Sequence, residues 1–197
     1  MSILTAENIS KSYGDKVLFN DLNLTILENQ KIALVGINGT GKSTLLKIIA
    51  GFEVPETGQI MQMKNIQIEY LPQSMEYDDQ ATVLEHIFSG AHPHMVLLRK
   101  YESVLEELKV NSEDVQVQEK LIAITSEMDA ADAWHIESDA KAILSKLGIL
   151  NYSLPMKVLS GGQKRRVFLA SALIHPSDLL ILDEPTNHLD DTMIQYL

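Results

Sequence analysis

The stretch Gly36-Ile37-Asn38-Gly39-Thr40-Gly41-Lys42-Ser43 decides how the rest of the chain reads. It follows Lys31 to Val35 (KIALV), an apolar run that predicts a buried strand, and precedes Thr44 to Gly51 (TLLKIIAG), a helix pattern with its stop signal. The spacing G-x-x-x-x-G-K-S puts glycines where a backbone must turn tightly, so that successive N–H groups converge on phosphate oxygens. Lys42 would reach the terminal phosphates and the Ser43 hydroxyl a Mg²⁺ ion, with the amino end of the following helix, from Thr44, facing the anion.

Working outward, Ile3 to Ile26 alternates apolar and polar residues around the turn Tyr13-Gly14-Asp15-Lys16, and so predicts antiparallel strands. Leu22, Leu24 and Ile26 would share one face. Tyr13, beside that turn, is either a packing residue or a ring on which an adenine stacks. Beyond the loop helix, Gln59 to Met63 and Ile66 to Tyr70 read as strands; Pro72 then closes the second and leaves Gln73 in a connection, where its amide could touch a metal ion and a water.

From about Thr82 to Leu147 turns become sparse and apolar residues recur at helical spacing. Leu97, Tyr101, Val104 and Leu108 form one stripe. A second helix over Glu113 to Met128 would turn Leu121, Ile122 and Met128 inward. A third, with Ile136, Ala140, Ile143, Leu144 and Leu147, ends at Gly148. This is a helical insertion. His92 and His94 flank Pro93 without a third ligand nearby, which favours a loop over a metal site, and Trp134 reads as a packing residue.

Leu159-Ser160-Gly161-Gly162-Gln163 opens another helix pattern, KRRVFLASALI, and is either a phosphate nest or an ordinary helix cap; Lys164, Arg165 and Arg166 would face an anion or water. An apolar run, Asp178 to Leu182, then delivers Asp183-Glu184-Pro185 at the carboxyl end of a strand, where parallel α/β sheets carry ligands. One carboxylate can hold Mg²⁺ through its water shell. The other can orient and deprotonate a water attacking a γ-phosphoryl group.

The 197 residues suffice for one domain with a core and perhaps a small appendage. Net charge is −11, and Glu76 to Leu150 holds 15 acidic against 6 basic residues. That segment would be repelled by nucleic-acid phosphates or is simply an ordinary solvated helical surface, and no direct DNA binding is indicated. No apolar run reaches the roughly 18 residues of a membrane helix. The opening residues lack a secretory layout and there are no cysteines, which together favour a cytoplasmic protein.

In order, GINGTGKS, Gln73, LSGGQ, LLILDEP and Asn187-His188-Leu189-Asp190 resemble the Walker A, Q-loop, signature, Walker B and D-loop of ATP-binding cassette ATPases. The NHLD motif and the long helical insert resemble the ABC-F branch, with a texture similar to its Uup-like members. The resemblance implies an α/β P-loop NTPase fold. Its antiparallel β subdomain and loop core would occupy 1–75, a helical subdomain with an arm insertion 76–150, and the signature helix, Walker B strand and D-loop 151–197. It implies two cassettes on one longer chain, closing head to tail on ATP and Mg²⁺, and action on the ribosome.

By the same resemblance Tyr13 stacks on adenine, Gly36 to Thr44 bind the phosphates, and Ser43, Gln73 and Asp183 serve the metal. Glu184 is the general base, supported by Lys42 and Gln73. Ser160, Gly161, Gly162 and Gln163 contact the nucleotide of a partner cassette, and Asp190 couples the two sites. The family's switch histidine lies beyond the D-loop, and His188 does not take that role. The chain therefore reads as the first part of a longer protein, ending inside its first cassette and hydrolysing ATP poorly on its own. Two further readings share the ATP site: the nucleotide-binding subunit of a membrane transporter, and a nucleotide-gated module without hydrolysis.

Overall fold

The computed structural model describes residues 1–89 and 93–185. They form two compact units, one of Met1–Gln73 with Pro176–Pro185, the other built on Ser74–His175.

In the first unit, β1 (Ser2–Tyr13) and β2 (Lys16–Leu27) form the expected hairpin, closed by the pair Tyr13–Lys16 across Gly14-Asp15. β3 (Thr57–Gln62) adds antiparallel to the other edge of β1, giving the order β2-β1-β3. Strict alternation along β1 would bury Asn8 after Leu4 and Ala6. Instead Asn8 takes a left-handed φ of 49° at a register shift, so that Ile9 rather than Asn8 turns inward. Its N–H donates to Asn23 Oδ1 at 2.9 Å, which satisfies the displaced backbone. Leu22, Leu24 and Ile26 do lie on the core side of β2.

Helix α1 (Lys42–Ile49) drops Leu45, Ile48 and Ile49 into this core beside Ile3, Leu4, Ala6 and Ile9. A short parallel pair, β4 (Ile68–Leu71) with β5 (Leu179–Leu182), contributes Ile181 and ends level at Leu71 and Leu182. Gly58, at φ 81°, passes so close to β1 that an added Cβ would lie 2.3 Å from the Glu7 carbonyl oxygen.

The expectation of a buried strand at Lys31 to Val35 is not met. Residues 31–37 carry no ladder, and Ile32, Leu34 and Val35 are exposed, Val35 by 90%. An apolar run becomes a strand only when a neighbour accepts its backbone hydrogen bonds, and among the described residues no strand pairs with it.

The second unit is helical: α2 (Val83–Phe88), α3 (Pro93–Val110), α4 (Val115–Ala130), α5 (Ile136–Lys146) and α6 (Gly161–Ile174). Thr82 and Glu85 form a reciprocal capping box on α2, and Asp114 caps α4 through the Gln116 N–H. Helices α3 and α4 pack together as a hairpin. The stripe Leu97, Tyr101, Val104 and Leu108 is half-buried, and the deepest residues of α3 are Met95 and Leu98. On α4 the buried positions are Val117, Ile124 and Met128, whereas Ile122 is 69% exposed, a correction to its inward assignment. At about 100° per residue, two steps from Ile124 carry Ile122 to the opposite side of the helix. Trp134 packs its ring edge-on against Tyr101 at 5.2 Å and donates to Asp129 at 2.6 Å, and Gly148 ends α5 at φ 72°.

Candidate nucleotide site

The loop between residues 36 and 43 has the backbone its glycines predict. Gly39 and Gly41 sit at φ 79° and 97°, and a Cβ on Gly41 would lie 2.9 Å from the Leu18 side chain. Gly41 also caps α1, accepting the Leu45 N–H at 2.8 Å, and Thr40 Oγ1 donates to the Ile37 carbonyl. Lys42 folds back onto its own loop, with Nζ donating to the carbonyls of Gly36 at 2.9 Å and Ile37 at 3.0 Å. The ammonium thus stands at the mouth of the nest.

A cavity of about 430 Å³ opens over this loop, lined by Tyr13, Lys16, Asn38, Lys42, Gln73 and Glu184 among others, with Ser43 and Thr44 at the helix end. Its size suits a nucleotide. The sequence gives no sign of Lys16 and Leu18, which lie in β2 and reach the loop only because the hairpin folds over it. Tyr13 as a residue is 54% exposed, and its hydroxyl donates to Glu53 Oε1 at 2.5 Å. That hydrogen bond, then burial, holds the Tyr13 hydroxyl above its usual pKa and, in return, the Glu53 carboxyl below its own.

At the cavity floor, Ser43 Oγ donates to Asp183 Oδ1 at 3.0 Å, and Tyr70 donates from its hydroxyl to Asp183 Oδ2 at 3.4 Å. Asp183 is buried. Burial, then the Asp183 charge, pushes the Tyr70 hydroxyl up to about 12. A hydroxyl and a carboxylate side by side are the hard oxygen donors Mg²⁺ prefers. Among the described residues no three His, Cys, Asp or Glu side chains gather, so a metal here would depend on phosphate and water for its other ligands. The His92 half of the histidine pair, His188 and Asp190 lie outside the described residues.

Glu184 stands at φ 52°. Every other described non-glycine residue with positive φ is an Asn or Asp, the types that tolerate that region. Its carboxylate accepts from Gln73 Nε2 at 3.0 Å, so the two connections after β4 and β5 meet side chain to side chain.

In the helical unit, Ser160 caps α6: its Oγ accepts the Gln163 N–H at 3.3 Å, and Gln163 Oε1 accepts the Ser160 N–H at 2.9 Å. A Cβ added to Gly161 or Gly162 would meet nothing within 4 Å. The basic run after them is largely engaged within its own unit. Arg165 is buried, Arg166 donates to the Leu147 carbonyl, and Lys164 donates to the Tyr77 hydroxyl at 2.6 Å while lying over that ring. Long cationic side chains at a helix start lay their stems over apolar neighbours.

A glycine-turned loop running into a helix, with a serine and a strand-end aspartate joined beneath it, defines a phosphate-loop nucleotide-binding domain. The chain belongs to the ABC transporter family, whose model matches residues 19–187, and is therefore of the ATP-binding cassette class. It is 52% identical over 197 residues to the uncharacterized ABC transporter ATP-binding protein YfmR of Bacillus subtilis, covering 100% of this chain and 31% of that protein. It is 33% identical over 195 residues to the energy-dependent translational throttle protein EttA of Mycobacterium tuberculosis, covering 99% of this chain and 35% of that protein. These are ABC-F-type relatives, and the chain spans about a third of their length. The fold matches an ABC transporter ATP-binding protein from Pyrococcus furiosus with a TM-score of 0.66 at 21% identity, over 98% of this chain and 82% of that one. No helix among the described residues is long and apolar enough to cross a membrane.

Proposed function

We propose that this chain is the MgATP-binding and hydrolysing cassette of a cytoplasmic ABC-F protein that pairs with a second cassette and acts on the ribosome during translation. The observation that carries the nucleotide reading is the convergence of Lys42, Ser43, Gln73 and Glu184 on one cavity, with Asp183 hydrogen-bonded to Ser43 behind it. The translational part rests on the likeness to a translational throttle protein.

In this reading Lys42 exchanges the Gly36 and Ile37 carbonyls for the oxygens of the terminal phosphates, gaining charge-assisted hydrogen bonds. The ring of Tyr13 receives the adenine. Ser43 and Asp183 hold Mg²⁺, which supplies charge compensation on the β- and γ-phosphates. Glu184, oriented by Gln73, takes a proton from the attacking water as the new phosphorus–oxygen bond forms and the bond to ADP breaks. Ser160 to Gln163 serve the nucleotide of the second cassette, and Asp190 couples the two sites.

The test is ATP turnover by the full-length protein together with co-sedimentation on ribosomes. Turnover with ribosome binding is expected. Partition into membranes with an integral subunit, and none on ribosomes, would establish the transporter reading instead.

A further inference from the structure

We infer that Lys16 is a second phosphate-binding cation of this site, gripping the phosphates that ADP and ATP share, while Lys42 serves the terminal ones. This rests on the nucleotide reading above. Lys16 follows Tyr13 by one two-residue turn and is its register partner, so the β1–β2 hairpin sets the two residues side by side at its end. Its Nζ donates to the Gly39 carbonyl at 2.7 Å and lines the same cavity as Tyr13 and Lys42.

The two ammonium groups hold different parts of the loop. Lys42 sits on the carbonyls of Gly36 and Ile37, where the loop begins; Lys16 sits on Gly39, three residues further on. A nucleotide with its base on Tyr13 and its last phosphate at Lys42 must run its nearer phosphates past the hairpin end that carries Lys16. An ammonium has three N–H donors, and the Gly39 carbonyl takes one, which leaves the group able to bond phosphate without giving up the loop. Glycine at position 39 is required by its φ of 79°. A Cβ there would lie 3.4 Å from Lys16 Nζ, an ordinary contact that places the ammonium directly over the loop.

The experiment is calorimetry of MgATP and MgADP on the full 197-residue chain and its Lys16→Gln, Lys16→Arg and Lys42→Ala variants, at two salt concentrations. Glutamine keeps a donor for Gly39 and removes the charge. Losing a charge-assisted hydrogen bond should weaken ATP and ADP by the same factor, about tenfold, with a shallower salt dependence, and arginine should restore both. Thermal melts should show all variants folded. Unchanged affinity in Lys16→Gln, or a loss for ATP alone, would overturn the inference. If Lys42→Ala weakens ATP while Lys16→Gln does not, the nucleotide reading stands and only the role of Lys16 falls; if neither does, both fall.

Discussion

Gln73 Nε2 donates to Glu184 Oε2 at 3.0 Å, so the amide after β4 holds the carboxylate after β5 in place. Glu184 pays for that position with a left-handed φ of 52°, a conformation costing an ordinary residue about 1–2 kcal/mol. In the full-length protein, Glu184→Gln is expected to retain ATP binding and slow single-turnover hydrolysis by about 10²–10⁴-fold. Glu184→Gly should abolish hydrolysis yet raise the melting temperature, because glycine relieves the strain. An unchanged single-turnover rate in the glutamine variant would remove Glu184 as the base.

Lys42 bonds only to its own loop's carbonyls among the contacts described above, so its removal should spare the fold. Lys42→Ala is expected to weaken MgATP by about ten- to hundredfold, with a smaller loss for ADP. Equal affinity of mutant and wild type in calorimetry would take the terminal phosphates away from Lys42.

Gly58 and Gly51 share a φ of 81°, yet only Gly58 is hemmed in by backbone. Gly51→Ala should cost about 1 kcal/mol for its conformation. Gly58→Ala must in addition push β3 away from the carbonyls of Glu7 and Asn8, raising the loss to about 2–4 kcal/mol. Denaturant melts of the pair would show the gap, and equal losses would mean that β3 yields freely.

His86 lies buried against Phe168 with its Nε2 unbonded among the described residues, and burial, then the His175 charge, lowers its pKa from 6.5. Below about pH 6.5 the unfolded chain takes up this proton before the folded one does, so stability falls as pH falls; above that value the group contributes no slope. His86→Phe should flatten the acid limb of a stability–pH profile relative to wild type. A profile with the same acid slope would assign it to other groups.

The loop, its helix, the hairpin and the strand-end carboxylates were legible because each is written in local spacing. Glycines at 36, 39 and 41, the turn at Gly14-Asp15 and the apolar run into Asp183 fix their own backbones. The failures are of another kind. Lys31 to Val35 has the apolarity of a strand, but pairing is a property of two segments, and one run cannot report whether a neighbour is present. Ile122 is apolar like Leu121 and Met128, but the angle around α4, not apolarity alone, decides which side chains turn inward. Lys16 carries no motif at all; its place at the cavity comes from the fold of the hairpin, while Arg165 and Arg166 are covered within the helical unit.

The hydrogen bond from Ser43 to Asp183 spans 140 positions, and β4 meets β5 only after helices α2 to α6 have been written between them. Synthesis runs N- to C-terminal at about 5–20 residues per second, so the phosphate loop emerges on the order of ten seconds before the aspartate beneath it. During that interval the nascent chain owns an anion nest without its acidic floor, and a core still waiting for Ile181. The helices α2 to α6, all within residues 74–175, are synthesised before β5 and can pack first. The loop's pairing with Asp183 is thereby set by when β5 is synthesised rather than by when the loop itself is.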